Sequence, residues 1–187
     1  MAKKPEMPPQ ERLARMTEAR DSLMAGVGQG VLAMIGTPRY ASLPVRELRE
    51  VLLTPMLRNR VAVAGLEAGG EAGLTQPLLG LAIWANVSDA VDRRIRDQIS
   101  EGVFPVRLAP DEWAGGSTLW LLDVIAPNPA IARAVVGNFR AVLKDELGEA
   151  PGPVRLHPVL RRMLGEVALS ELGARPLEVA STCTPGS

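Results

Sequence analysis

Apolar and polar positions along this chain recur with two periods, one near that of a helix and one near that of a strand. From Gln10 to about Leu23, Leu13, Met16 and then Met24 recur at loosely helical spacing on a charged background and predict a first helix. GVGQGVLAMIG (26–36) extends the pattern as a second helical piece, weakened by its glycines. TPRYASLP (37–44) reads as a loop, with Pro44 placed for the first turn of a helix and Ser42 as a capping candidate. Val45, Leu48, Val51, Leu52 and Leu57 then form one apolar face, ending near the basic run at 58–60. VAVAGLE (61–67) predicts a strand, AGGEAGLTQ (68–76) a turn, and PLLGLAIWANVS (77–88) the returning strand of a hairpin.

Ser88 is an N-cap candidate for a helix with Val91, Ile95 and Ile99 inward, stopped by Gly102. After a loop at 107–118 comes TLWLLDVIAP (118–127), an apolar strand interrupted by Asp123. A second amphipathic helix is predicted over 128–148, with Ile131, Val135, Val136, Phe139 and Leu143 inward. A short strand at 153–158 and a helix over 159–173 complete the pattern. Helices first, then a hairpin, then strand–helix units predict an α+β domain with a central, mainly antiparallel sheet flanked by helices. That domain occupies 10–173, between a disordered segment at 1–9 and a flexible tail at 174–187.

Strict alternation along 118–126 puts Leu119, Leu121, Asp123 and Ile125 on one face and Trp120, Leu122 and Val124 on the other. Both faces are apolar, which predicts a central strand covered on both sides. An unpaired carboxylate there costs several kcal/mol to desolvate, as an order of magnitude. Two readings of Asp123 remain open at this point: a strand-end carboxylate bound to a backbone amide or an arginine, or a proton-handling or orienting group at an active site.

Composition narrows the function classes. With 47% hydrophobic and 22% charged residues among 187, the chain can build a core of ordinary domain size. Lys+Arg and Asp+Glu each number 21, which argues against a general nucleic-acid binder. The single cysteine, Cys183, allows no internal disulfide, and no Cys/His cluster is spaced for a metal. The N-terminal stretch has no apolar core of a signal peptide, and LMAGVGQGVLAMIG is too short for the ~20 residues of a membrane span. The expectation is a cytoplasmic protein with no membrane span. No G-x-G-x-x-G, Walker or G-x-S-x-G motif is present, and GVGQG at 26–30 has the wrong spacing and no preceding strand.

Three segments carry a resemblance to a known family. TPRYASLPV (37–45), GLAIWANVS (80–88) and DEWAGGSTLWLLDVIAP (111–127) resemble, in order and spacing, the RTX toxin-activating lysine acyltransferases. The resemblance covers about residues 26–157 and implies a GCN5-related N-acetyltransferase-like fold. It implies transfer of a fatty acyl chain from acyl carrier protein to an internal lysine of an RTX-type protoxin or related acceptor. It further implies no bound cofactor beyond that acyl donor, no metal, and a homodimer. A histidine and an aspartate are the residues held essential in the family. Asp123 falls on the aspartate, whereas the histidine position holds Tyr40. A phenol with a pKa near ~10 is a poor base at neutral pH but donates well to an oxyanion.

His157, the only histidine, lies in another strand and is a candidate substitute base. Candidate substrate contacts are Thr37, Trp84, Asn86, Gly115 and Gly116. Trp84 reads most simply as core, Asn86 as an amide able to bind a carbonyl, and the two glycines as a turn or a close backbone approach for substrate. Arginine pairs at 58/60 and 161/162 and the triplet 93/94/96 are candidate docking sites for an acidic carrier, or solvated faces diluted by Asp89, Asp92, Asp97 and Glu101. Leu32, Met34 and Ile35 are candidates for an acyl-chain groove. The alternative to an enzyme is an inactive family member that binds a carrier protein, an acyl chain or an RTX partner without turnover.

Overall fold

The computed structural model describes residues 8–65, 78–148, 153–161 and 163–164. The elements run α1 (Pro9–Ile35), α2 (Thr54–Leu57), β1 (Val61–Gly65), β2 (Leu78–Val87), α3 (Asp89–Ser100), β3 (Thr118–Ile125), α4 (Pro129–Leu147) and β4 (Val154–Leu156). The four strands form one sheet in the order β1-β2-β3-β4. The first two pairings are antiparallel and the last is parallel, giving the mainly antiparallel α+β domain that the pattern predicts. The expected turn at 68–76, the helix beyond 164 and both chain ends lie outside the described residues. No described helix is long and apolar enough to cross a membrane.

The sheet is covered on both faces by separate cores. On one side α4 packs Val135, Val136, Phe139 and Leu143 against Ala82, Trp84, Leu119, Leu121 and Val124. On the other, Met34, Tyr40, Leu52 and Ile95 meet Leu81, Ile83, Trp120, Leu122 and Ile125. The Ser88 cap expected from sequence is present, and the structure adds a second at Asn128. Ser88 accepts from the Val91 amide at the start of α3, and Asn128 from the Ile131 amide at the start of α4.

Two helical expectations are corrected. The pieces at 10–23 and 26–36 are one continuous helix of 27 residues. Gly26 and Gly30 serve packing: a Cβ on Gly30 would come within 2.9 Å of the Leu52 side chain, so glycine lets α1 lie close against the next segment. The amphipathic stretch 45–57 is not one α-helix. It divides into a 3₁₀ turn (Val45–Glu47), a wide π turn (Arg49–Leu53) and α2. Pro55 is the cause, because it lacks an amide proton and its ring excludes the carbonyl four residues earlier. The Thr54 amide bonds instead to the Arg49 carbonyl, and the Thr54 hydroxyl donates to the same oxygen at 2.7 Å. Ser42 makes no cap, and Pro44 itself holds the N-cap position.

The correction that matters most lies in β3. Its register with β2 shifts between Ile83↔Asp123 and Trp84↔Leu121, which leaves Leu122 as an extra residue. This bulge breaks the two-residue alternation. Leu119 and Leu121 face α4, but beyond the bulge Val124 takes that side. Ile125 joins Trp120 and Leu122 on the α1 side, and Asp123 bonds to Tyr40, which belongs to the same side. The grouping of Asp123 with Leu119 and Leu121 expected from strict alternation is therefore wrong, because the bulge rotates the strand between them.

Close backbone approach fixes the turn that leads into β3. Gly115 has φ +101°, and a Cβ on Gly116 would sit 1.7 Å from the Val87 carbonyl carbon. Gly116→Ala is expected to lower unfolding free energy by about 3 kcal/mol or more. Gly137→Ala, on the exposed side of α4 with nothing within 4 Å, is expected to raise it by about 0.5–1 kcal/mol. Urea denaturation of the two variants beside the parent protein checks both signs.

Candidate active site

The site is built from a turn and a bulge. At the end of α1, Thr37 folds back, donating its amide to Met34 O at 2.9 Å and its hydroxyl to Ala33 O at 2.9 Å. Pro38–Tyr40 then makes one 3₁₀ turn, which directs two consecutive side chains, Arg39 and Tyr40, at β3. The bulge turns Asp123 toward them.

Asp123 is 3% exposed. Its Oδ1 accepts from Arg39 Nη2 at 2.8 Å and from the Val124 amide at 2.8 Å. Its Oδ2 accepts from Arg39 Nε at 3.2 Å, Arg39 Nη2 at 3.0 Å and the Tyr40 hydroxyl at 2.5 Å. Arg39 Nη2 also donates to Val124 O at 2.8 Å. Every partner of the carboxylate is a donor, so the arrangement holds the ionised form. Burial pushes the Asp123 carboxyl up from its ordinary range, while Arg39, Tyr40 and Val124 pull it back. The Tyr40 phenol is driven upward, chiefly by burial and then by the Asp123 charge, and stays protonated at any working pH. It is a donor to Asp123, not a base.

Arg39 remains partly open, its side chain 23% exposed. Among the described residues, nothing accepts a hydrogen bond from its Nη1. The cluster thus leaves one cationic donor uncommitted among the described residues while its carboxylate is enclosed.

His157 stands behind an aromatic wall. The Phe104 ring lies 5.4 Å from that of Tyr40 and 5.5 Å from the imidazole. His157 Nδ1 accepts from the Val159 amide at 3.2 Å, which assigns the proton of the neutral ring to Nε2. Nε2 is buried and has no partner among the described residues. The ring's one basic lone pair is therefore engaged, and burial together with Arg39 lowers its pKa to about 4.

The remaining candidates fall in three places. Thr37 is buried, its hydroxyl engaged inside the α1 corner that carries Arg39. Trp84 lies on the opposite face of the sheet from Asp123, fully buried against Phe139 and under the Arg60 guanidinium at 4.2 Å. Asn86 donates to Gly116 O at 3.2 Å, and the Gly116 amide donates to Asn86 O at 3.0 Å. Asn86, Gly115 and Gly116 thus form the clamp before β3. Asn86 pairs with Leu119, about 10 Å or more along the sheet from Asp123. Among the described residues, no three His, Cys, Asp or Glu side chains converge to hold a metal.

Two residues escaped sequence reasoning. Arg39 carries no periodic signal, and only its place between Pro38 and Tyr40 hinted at it. Asp92, expected on a solvated face, is buried. It accepts from Trp120 Nε1 at 2.8 Å and pairs with Arg96 at 3.1 Å and Arg155 at 3.3 Å, tying α3 to β3 and β4. Its adjacency to Val91 on the inward face of the helix was the available signal. Arg94 pairs closely with Glu112 instead, so the triplet 93/94/96 is not a uniform basic face.

The depressed His157 pKa makes a signed prediction. The unfolded ring protonates near ~6.5, the folded one near 4, so the unfolded state binds the extra proton between them. Stability is full above the unfolded value and falls as pH drops through this window, by about 2–3 kcal/mol. Chemical denaturation at neutral pH and at about pH 4.5 should show that loss in the parent and a smaller one in His157→Gln.

The model of one family, HlyC, the RTX toxin acyltransferase family, matches residues 21–147 of this chain. The match takes in the Arg39–Tyr40 turn, the hairpin strands, the bulge and all of α4. No curated protein matches.

Proposed function

The chain belongs to the RTX toxin acyltransferase family, and from that premise we propose that it moves a fatty acyl chain from acyl carrier protein to an internal lysine of an RTX-type protoxin or related acceptor. The observation that carries this reading is the enclosed Asp123 carboxylate holding a partly exposed Arg39 whose Nη1 has no acceptor among the described residues. Aminolysis of a thioester needs a neutral amine near the carbonyl carbon and a donor where negative charge grows on the carbonyl oxygen. The ε-amine attacks that carbon, the C–N bond forms and the oxygen becomes anionic. Collapse breaks the C–S bond and releases the carrier's thiolate, while the amine proton passes to water.

Each residue has a part in this scheme. Arg39 Nη1 is the donor facing the developing oxyanion. Asp123 positions Arg39 through two guanidinium nitrogens and fixes its plane. Tyr40, at the family's histidine position, fills one oxygen of Asp123 and removes no proton. His157, with its lone pair occupied by Val159, is not the missing base in this scheme. Catalysis rests on holding the reactants together and on charge stabilisation, with solvent as the proton acceptor.

A second reading, a family member that binds a carrier protein, acyl chain or RTX partner without turnover, is favoured by one feature. Both Asp123 oxygens are already filled by donors of the chain itself, and among the described residues no side-chain base is free beside them. The two readings separate by mass. Purified protein, a panel of acyl carrier proteins and a lysine-bearing acceptor are combined and the acceptor is followed intact. The acceptor is expected to gain one acyl group. The rate should fall roughly 100-fold or more in Arg39→Met and Asp123→Asn, and less than about tenfold in Tyr40→Phe. Carrier binding with no acceptor gain, in the parent and in Tyr40→His, establishes the second reading.

A further inference from the structure

Beside the polar cluster lies a groove of about 350 Å³, between the end of α1 and the ends of β2 and β3. Gln29, Leu32, Ala33, Thr37, Leu79 and Ile125 are among its walls, and among the described residues no Asp, Glu, Lys or Arg lines it. The volume falls in the lower part of the ~300–1,000 Å³ range of small-molecule sites. The Thr37 hydroxyl is spent on Ala33 O, so it gives the groove no free donor. Leu32, on one wall, is 69% exposed, a large apolar side chain left in solvent at the rim.

Each of two walls is joined to the candidate active site by two residues of chain. Thr37 precedes Arg39 by two residues, and Ile125 follows Asp123 by two on the same sheet face, a separation of roughly 7 Å. The bulge puts Ile125 on that face together with Asp123, so one distortion of β3 shapes both. A ligand filling this seam must be uncharged and apolar along its length and polar at the end that reaches Arg39.

We propose that this groove seats the acyl chain of the donor, with the thioester carbonyl at Arg39 and the tail running past Thr37 and Ile125 toward Leu32. The assignment rests on the acyl-transfer reading above and adds to it the tail's location and a length-selecting wall. Ala33 closes one side of the groove, and its small side chain leaves the room that a longer tail requires. Of the sequence candidates for this role, Leu32 lines the groove, whereas Met34 is 2% exposed in the core beneath it and Ile35 points to solvent.

The test uses the full chain and acyl carrier protein charged with either a butyryl or a palmitoyl group, the latter also with a photoreactive diazirine near its end. Photolysis of the bound long-chain donor is expected to label peptides containing residues 29–37 or 125–127. Ala33→Phe is expected to weaken palmitoyl-carrier binding by roughly tenfold or more relative to butyryl-carrier binding. Leu32→Ala, at an exposed position that folding does not depend on, should weaken only the long-chain donor and by less. Labelling elsewhere, no labelling, or equal loss for both donors overturns the groove assignment. Long-chain labelling in the groove without acceptor acylation keeps the groove and removes the transfer reading. Acylation with labelling elsewhere does the reverse.

Discussion

A single buried carboxylate governs the centre of this molecule. Asp123 is enclosed in a strand with apolar side chains on both faces, where an unpaired charge costs several kcal/mol as an order of magnitude. The cost is met by four donor groups: Arg39 Nε, Arg39 Nη2, the Tyr40 hydroxyl and the Val124 amide. Three of the four come from one turn at the end of α1. The fold of residues 36–40 and the bulge of β3 are thus mutually dependent. Without the bulge, Asp123 faces α4; without the turn, it has no counter-ion.

The same contact finishes the sheet. β4 pairs with β3 from Leu119↔Val154 to Leu121↔Leu156, and His157 adds one more bond to Leu121 O. Beyond that point the β3 edge has no strand beside it among the described residues. Arg39 Nη2 covers it by bonding Val124 O. A guanidinium therefore does the work of a neighbouring strand while its charge neutralises Asp123. A second buried aspartate, Asp92, is satisfied differently, by Trp120 and two arginines whose side chains are partly exposed. Asp92 ties helix to sheet. Asp123 ties turn to sheet at the mouth of an apolar groove. Family membership and geometry converge on the second.

Much of the framework was legible in the chain. The hairpin strands, β3, α3 with its Ser88 cap and α4 follow directly from apolar period and capping chemistry. Elements failed where a local backbone event overrode the period: Pro55 opening a π turn, and Leu122 inserted as a bulge. Neither is visible in a hydrophobic pattern, because each changes the geometry without changing composition. The glycines of α1 misled in the opposite direction. Low helix propensity suggested a break, whereas tertiary packing against Leu52 kept the helix whole. At the site, Asp123 and Tyr40 were legible through family resemblance. Arg39 was not, because a long cation on a loop has no periodic partner and its target lies 84 residues away. The placement of Trp84 and of the Asn86–Gly116 clamp away from Asp123 required the three-dimensional sheet.

Arg39 and Asp123 act as one coupled pair, and a double-mutant cycle in unfolding free energy measures that coupling. Arg39→Met alone strands the carboxylate and is predicted to cost about 3 kcal/mol or more, whereas Arg39→Met with Asp123→Leu regains most of that loss. Losses that simply add across the two sites would contradict the account.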